Sequence, residues 1–256
     1  MPRCLSTFKP KMKILRLQCK AEILRVLRNP YFVFWSLLMP IVFYFIFTKV
    51  VNTGAPDKAE WQAHYLMSMT SFSVMGSSIM TLGIRMVQER QQGWATFMRL
   101  TPLSDTVYFF AQMMGQTVIH LFSIIVIFTA GAIINGVTLS ITQWMFSGLW
   151  ILLASIPFLG LGTLIGLMRR VETAAGVSNV LYMAMAVAGG MWMPLEIMPK
   201  IMQTIGKWLP SYNFGNGAWE IVQGNAPEWR NILILIAYLA LFMLLSKYIR
   251  RKQEAV

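Results

Sequence analysis

Charge is what this sequence has least of. Asp, Glu, Lys and Arg make up 12% of its 256 residues, against roughly 25% in soluble domains, so a soluble domain is not expected. Cysteine is nearly absent, with only Cys4 and Cys19, which excludes a disulfide scaffold. The two histidines, His64 and His120, fall in different apolar segments. No His-Glu-x-x-His, Gly-x-Ser-x-Gly or phosphate-cradling glycine loop occurs, so no metal centre, hydrolase site or nucleotide site is expected on this chain. A hydrophobic content of 56% excludes disorder. An integral membrane protein remains.

The charge that is present comes in short clusters. Residues 31–48, 61–84, 106–168, 173–195 and 231–246 carry none, and a helix needs about 20 apolar residues to cross hydrocarbon. The run 106–168 is long enough to cross twice, with Asn135 and Gly136 as its turn. The pattern predicts an all-α membrane protein, a single domain over 1–256, with spans at 31–50, 62–84, 107–134, 144–167, 174–193 and 230–247. In the short last span Arg230 and Lys247 can snorkel to the two interfaces. Lys and Arg mark the cytoplasmic side of short loops. Six spans put 17 basic residues on the side of the two termini and 5 on the other, where five acids cancel them. Both termini are therefore expected in the cytoplasm, with the whole net charge of +12 there. Eight basic residues before position 30 are too spread out for a leader peptide, so the first span is expected to be retained. The basic residues flank spans and do not form one aromatic-lined patch, so no nucleic-acid partner is expected. Both cysteines precede the first span, where they are expected as free thiols.

Between the spans, residues 12–28 place Ile14, Leu17, Ala21 and Leu24 on one stripe, with Lys13, Arg16 and Lys20 beside it. This predicts a basic amphipathic helix in the membrane surface, which Asn29-Pro30 ends. A second amphipathic helix is predicted over 86–100, with Val87, Trp94, Phe97 and Met98 on one face and Glu89, Arg90, Gln91 and Arg99 on the other. Gly93 in its middle costs about 1 kcal/mol relative to alanine, which ill suits an exposed helix without a partner. Thr101-Pro102 ends this element, and Ser104 or Asp105 can cap the third span.

Polar side chains also occur inside the spans. Span two is rich in serine, Ser73 and Ser77 included, and span three puts Gln112, Gln116 and His120 on one face at four-residue steps. These groups suit either interhelical hydrogen bonding or the lining of a translocation path, and no carboxylate is expected to join them inside the membrane. The stretch 194–229 is punctuated by Pro194, Pro199, Pro210 and Pro227, with Trp192, Trp208, Trp219 and Trp229 in or beside it as interface anchors. It predicts two short re-entrant helices dipping into the outer leaflet.

The motifs follow a definite order. Arg28-Asn29-Pro30 closes the first amphipathic helix, Glu89-Arg90-x-x-Gly93 with Pro102 and Ser104 marks the long loop, Pro194 and Pro199 open the outer helices, and a basic tail follows the last span. In this order, and over nearly the whole length, the chain resembles the type-2 permease family of ATP-binding cassette (ABC) exporters. Trp94 stands where that family commonly has Thr, and Gln91 and Gln92 where it commonly has acids. The resemblance implies a transport subunit of the bacterial plasma membrane and not an enzyme. A second permease chain, identical or different, would complete the translocation path. Separate ABC ATPase subunits would couple through Glu89, Arg90, Gly93, Trp94, Phe97 and Arg99. The interfacial helix, with Arg16, Lys20, Arg28, Asn29 and Pro30, would flank them. ATP and Mg would sit on the partner, and this chain would hold no cofactor.

The expected cargo is amphipathic, a drug, lipid-like molecule or peptide, which suits a chain with 20 methionines. The rival readings are an ion- or proton-coupled secondary transporter and a membrane sensor or scaffold. Secondary transporters usually show a midplane ionisable group or duplicated halves, and the sequence shows neither.

Overall fold

The computed structural model describes residues 34–51, 58–93 and 105–254, together with Lys20 and Leu24. Among the described residues every regular element is helical. Helix α1 covers 34–51 and α2 covers 58–91, each with wide π-type turns in it, at Ser77–Leu82 in α2. Helix α3 is Asp105–Asn135, and α4 is Ile141–Ile165, broken at Ser155. Helix α5 is Val171–Ala188, followed by a 3-10 turn at Leu195–Ile197. The short α6, Lys200–Gly206, and α7, Pro210–Val222, lead into α8, Trp229–Glu254. Among the described residues four stretches are long and apolar enough to cross a membrane: Gln112–Asn135, Ile141–Ile165, Val171–Ala188 and Trp229–Gln253. A shorter apolar helix, Ser36–Val51, lies in α1.

Helix α2 is the centre of the fold, with α1, α3, α4, α5 and α7 packed around it. Leu66, Met67, Met69, Val74, Met75, Ile79 and Val87 have no exposed surface, and neither do Thr70, Ser71 and Ser78. A helix enclosed on all sides needs no apolar stripe, which is why small polar residues are spread around its whole circumference. Gly162 of α4 permits the closest approach, because a Cβ there would collide with the Ser78 carbonyl of α2.

Local chemistry explains where the helices end. Asn135-Gly136 forms the expected turn, with Gly136 in the left-handed region at φ 61°. Helix α4 starts three residues before the expected 144 because Ser140 and Gln143 form a reciprocal capping box, with Gln143 N–H donating to Ser140 Oγ at 3.2 Å. Span five, expected to run to 193, stops at Ala188 before Gly189 and Gly190, the latter at φ 74°.

The loop helix differs more. The separate helix expected over 86–100 begins instead as the continuation of α2, which runs unbroken to Gln91. Gly93 does not sit inside a helix but beyond its end, at φ 75°, where a side chain would be strained. Trp94, Phe97 and Arg99 lie outside the described residues. So does the predicted interfacial helix with Arg16, Arg28, Asn29 and Pro30, apart from Lys20 and Leu24, which are helical and exposed.

The tryptophans divide. Trp208 and Trp229 are exposed, as interface anchors would be, and Arg230 lies over the Trp208 ring at 4.9 Å. Trp219 is not exposed but buried, stacked on His64 with ring centroids 4.5 Å apart.

Candidate functional site

The Gly93 end of α2 brings together Glu89, Arg90 and Gln112, three of the residues singled out in the sequence. Glu89 was expected on the polar face of a surface helix. It is instead buried, because Gln112 of α3 donates to its Oε2 at 2.8 Å and Arg85 stands one turn before it, Nε to Oε1 at 3.9 Å. A carboxylate thus bonds Gln112 at the end of the α3 stripe, from a position outside the expected span 62–84. The pairing joins residues 23 positions apart, on different helices, so no helical periodicity could reveal it.

Arg90 turns the other way, to the end of α4. Its guanidinium donates to the carbonyls of Gly166, Leu167 (3.4 Å) and Met168 (3.0 Å). These carbonyls lie at the C-cap of α4 and just past it, beside the negative end of the helix dipole, where a cation is favoured. Gln91 adds a bond from Nε2 to Arg169 O at 3.0 Å, and Gln253 of α8 donates to Leu167 O at 3.1 Å.

Deeper in the bundle, Gln116 and His120 meet the π-type turns of α2. Gln116 Nε2 donates to Ser77 O at 3.2 Å and reaches Ser77 Oγ at 2.5 Å. His120 Nε2 lies 3.1 Å from Ser78 Oγ, and Nδ1 lies 3.2 Å from Ser155 Oγ, at the break in α4. One histidine thus touches the irregular segments of two helices. The Ser155 break was missed in the sequence, although Pro157, which cannot donate a helical N–H, signals it.

Of the five residues suggested for a path, Ser77, Gln112, Gln116 and His120 come together between α2, α3 and α4. Ser73 stands apart and donates to Ser36 O of α1 at 2.5 Å. All five are buried within the single chain. Among the described residues no three His, Cys, Asp or Glu side chains come together as a metal site would require.

The opposite, Lys58 end of α2 is aromatic. Trp61 and Trp219 flank His64, with Trp219 Nε1 donating to Ser68 Oγ at 2.9 Å. Shallow clefts of about 210 Å³ and 170 Å³ open on either side of His64. Glu220, on α7 beside the smaller one, accepts from Asn216 and from the Glu228 backbone N–H, and burial raises its pKa above 4.5.

Comparison with known proteins decides the class. The profile of the ABC-2 family transporter proteins matches residues 48–248, which takes in α2 to α7 and most of α8. The chain belongs to the ABC-2 family. A Bacillus subtilis (strain 168) protein named as a transport permease, YvfS, is 71% identical over 245 residues, covering 96% of this chain and all of the relative. The linearmycin resistance permease protein LnrN of the same strain is 32% identical over 128 residues, which is 44% of this chain and 33% of LnrN. The ABC-2 protein is thus a multi-pass transport permease subunit, and membership in the family implies association with an ABC ATPase.

Proposed function

We propose that this ABC-2 permease is the membrane-spanning subunit of a bacterial exporter driven by ATP, hydrolysed with Mg on separate ATPase subunits. In this reading α1 to α5 and α8 are the six spans of a plasma-membrane protein. Both termini and the Gly93 end of α2 lie in the cytoplasm, and α6 and α7 form the outer re-entrant pair. A second copy or a related chain completes the path, and this chain holds no cofactor of its own. The cargo is amphipathic, of the drug, lipid-like or peptide kind. The name of the partly matching relative LnrN, a resistance permease, favours the drug.

The observation that carries the reading is the junction at Glu89 and Arg90, where α2 is bonded to α3 and to the end of α4, with α8 sharing Leu167 O. A load applied beyond Gly93 reaches three other helices there. Energy enters only through differential contact, since a partner that bound both conformations equally would shift nothing. The buried stripe of Gln112, Gln116 and His120 serves the cohesion of these helices.

Co-purification tests the reading. Trp94 and Phe97 are the aromatic side chains of the segment after Gly93, and truncating an interface anchor typically costs about 2 kcal/mol or more of binding. The Trp94→Ala, Phe97→Ala permease should lose its ATPase while still entering the membrane, and an undiminished complex would remove this segment from the mechanism. Thiol probes placed at Asp57 and Asn225 should react from outside, and a reporter fused after Val256 should report the cytoplasm. A cytoplasmic Asn225 would overturn the six-span topology.

A further inference from the structure

The strip of backbone 166–169 is held from two sides. Arg90 of α2 spreads its guanidinium over the carbonyls of Gly166, Leu167 and Met168, and its neighbour Gln91 takes Arg169 O. From α8, Gln253 donates to the same Leu167 O. These ties end on main chain, which cannot rotate away as a side-chain partner can. A planar guanidinium can fork across successive carbonyls, whereas an ammonium is a point donor. Gly93 ends α2 three residues after Arg90, so a force from beyond it enters the helix almost at the clamp.

We propose that Arg90 is a positioning residue that makes the adjoining ends of α2, α4 and α8 move as one body during transport. The proposal rests on the reading that an ATPase acts at this end of α2. A helix cap alone would stabilise α4 without carrying movement.

The test uses the full-length permease with Cys4 and Cys19 replaced by serine, in nanodiscs with the ATPase that co-purifies with it. Spin labels at Gln88 on α2, or at Arg170 just past α4, are each paired with a reference label at Asn225. On adding ATP and vanadate, both distances should shift in the parent protein. In Arg90→Gln the Gln88 distance should still shift while the Arg170 shift is lost, and Arg90→Lys should restore part of it. An undiminished Arg170 shift in Arg90→Gln overturns the clamp. Loss of the ATPase from Arg90→Gln alone would also overturn it, by making Arg90 a docking contact. Failure of the parent protein to bind any ATPase overturns the coupling reading first, and the clamp with it.

Discussion

The two ends of α2 hold their neighbours by different chemistry. At the Lys58 end ring faces lead: Trp61, His64 and Trp219 stack in series, and Phe47 leans on Tyr65 at 5.1 Å, with Gln223 donating to Glu60 at 2.9 Å and Trp219 to Ser68 beside them. At the Gly93 end the contacts are directional bonds from Gln112 to Glu89 and from Arg90 and Gln91 to main-chain carbonyls. Stacked rings keep much of their attraction when they slide by part of an ångström, because dispersion and area burial have little directionality. Charge-assisted hydrogen bonds are strong and depend on geometry, so they either hold a register or break. One helix thus has an end held mainly by ring faces and an end held mainly by directional bonds.

The largest effect should come from breaking the directional end. Glu89→Ala leaves Arg85 and Gln112 facing a buried void, and removing one member of a buried charged pair costs about 3–5 kcal/mol. Thermal unfolding in detergent should shift down sharply, and Glu89→Gln, which still accepts from Gln112, should recover part of the loss. If Glu89→Ala unfolds as the parent does, the directional end is not what holds these helices.

A smaller effect is expected at the aromatic end. Trp219→Phe keeps most of the stack on His64 but loses the indole bond to Ser68, a neutral hydrogen bond worth about 1 kcal/mol. Ser68 still has its own bond to His64 O, so no polar group is stranded. Smaller still is His120→Leu, since interhelical hydrogen bonds in membranes average about 0.6 kcal/mol. Ser78 and Ser155 keep their fallback bonds to Val74 O and Leu152 O. Expression should survive. Changed ATPase stimulation in a well-expressed His120→Leu would instead give the stripe a part in transport.

The smallest effect should appear only as a pH dependence. Burial raises the Glu220 pKa in the fold, so its favourable neutral form is lost as pH rises through that raised value. Glu220→Gln stays neutral, and its melting temperature should gain on the parent as the pH rises. A constant difference between the two proteins across that range would show that Glu220 acts only through its hydrogen bonds.

The sequence made some of this legible and hid the rest for physical reasons. The Asn135-Gly136 turn was readable because the left-handed φ at Gly136 is a local demand on one residue. The stripe of Gln112, Gln116 and His120 was readable because helical spacing alone puts it on one face. Its partners were not, since Ser77, Ser78 and Ser155 meet it only after three helices have packed. The continuation of α2 to Gln91 was misread because the apolar spacing of Val87 with Trp94 and Phe97 suggests a fresh start at 86. A charge cluster beginning at Arg85 also looks like the end of a span. In the fold, Arg85 and Glu89 stay buried against each other, so the helix has no reason to stop there.

The enclosure of α2 bears on how the protein is made. Serine and threonine through its middle make it a poor candidate for spontaneous entry into lipid, whereas the stretches in α3, α4, α5 and α8 are apolar enough on their own. Polar groups in hydrocarbon are tolerated once neighbouring helices satisfy them. In the six-span reading α2 emerges from the ribosome before the helices that shelter it. A nascent chain truncated near residue 100 should therefore leave α2 at the membrane surface, and lateral insertion should become complete only when α3 and α4 arrive.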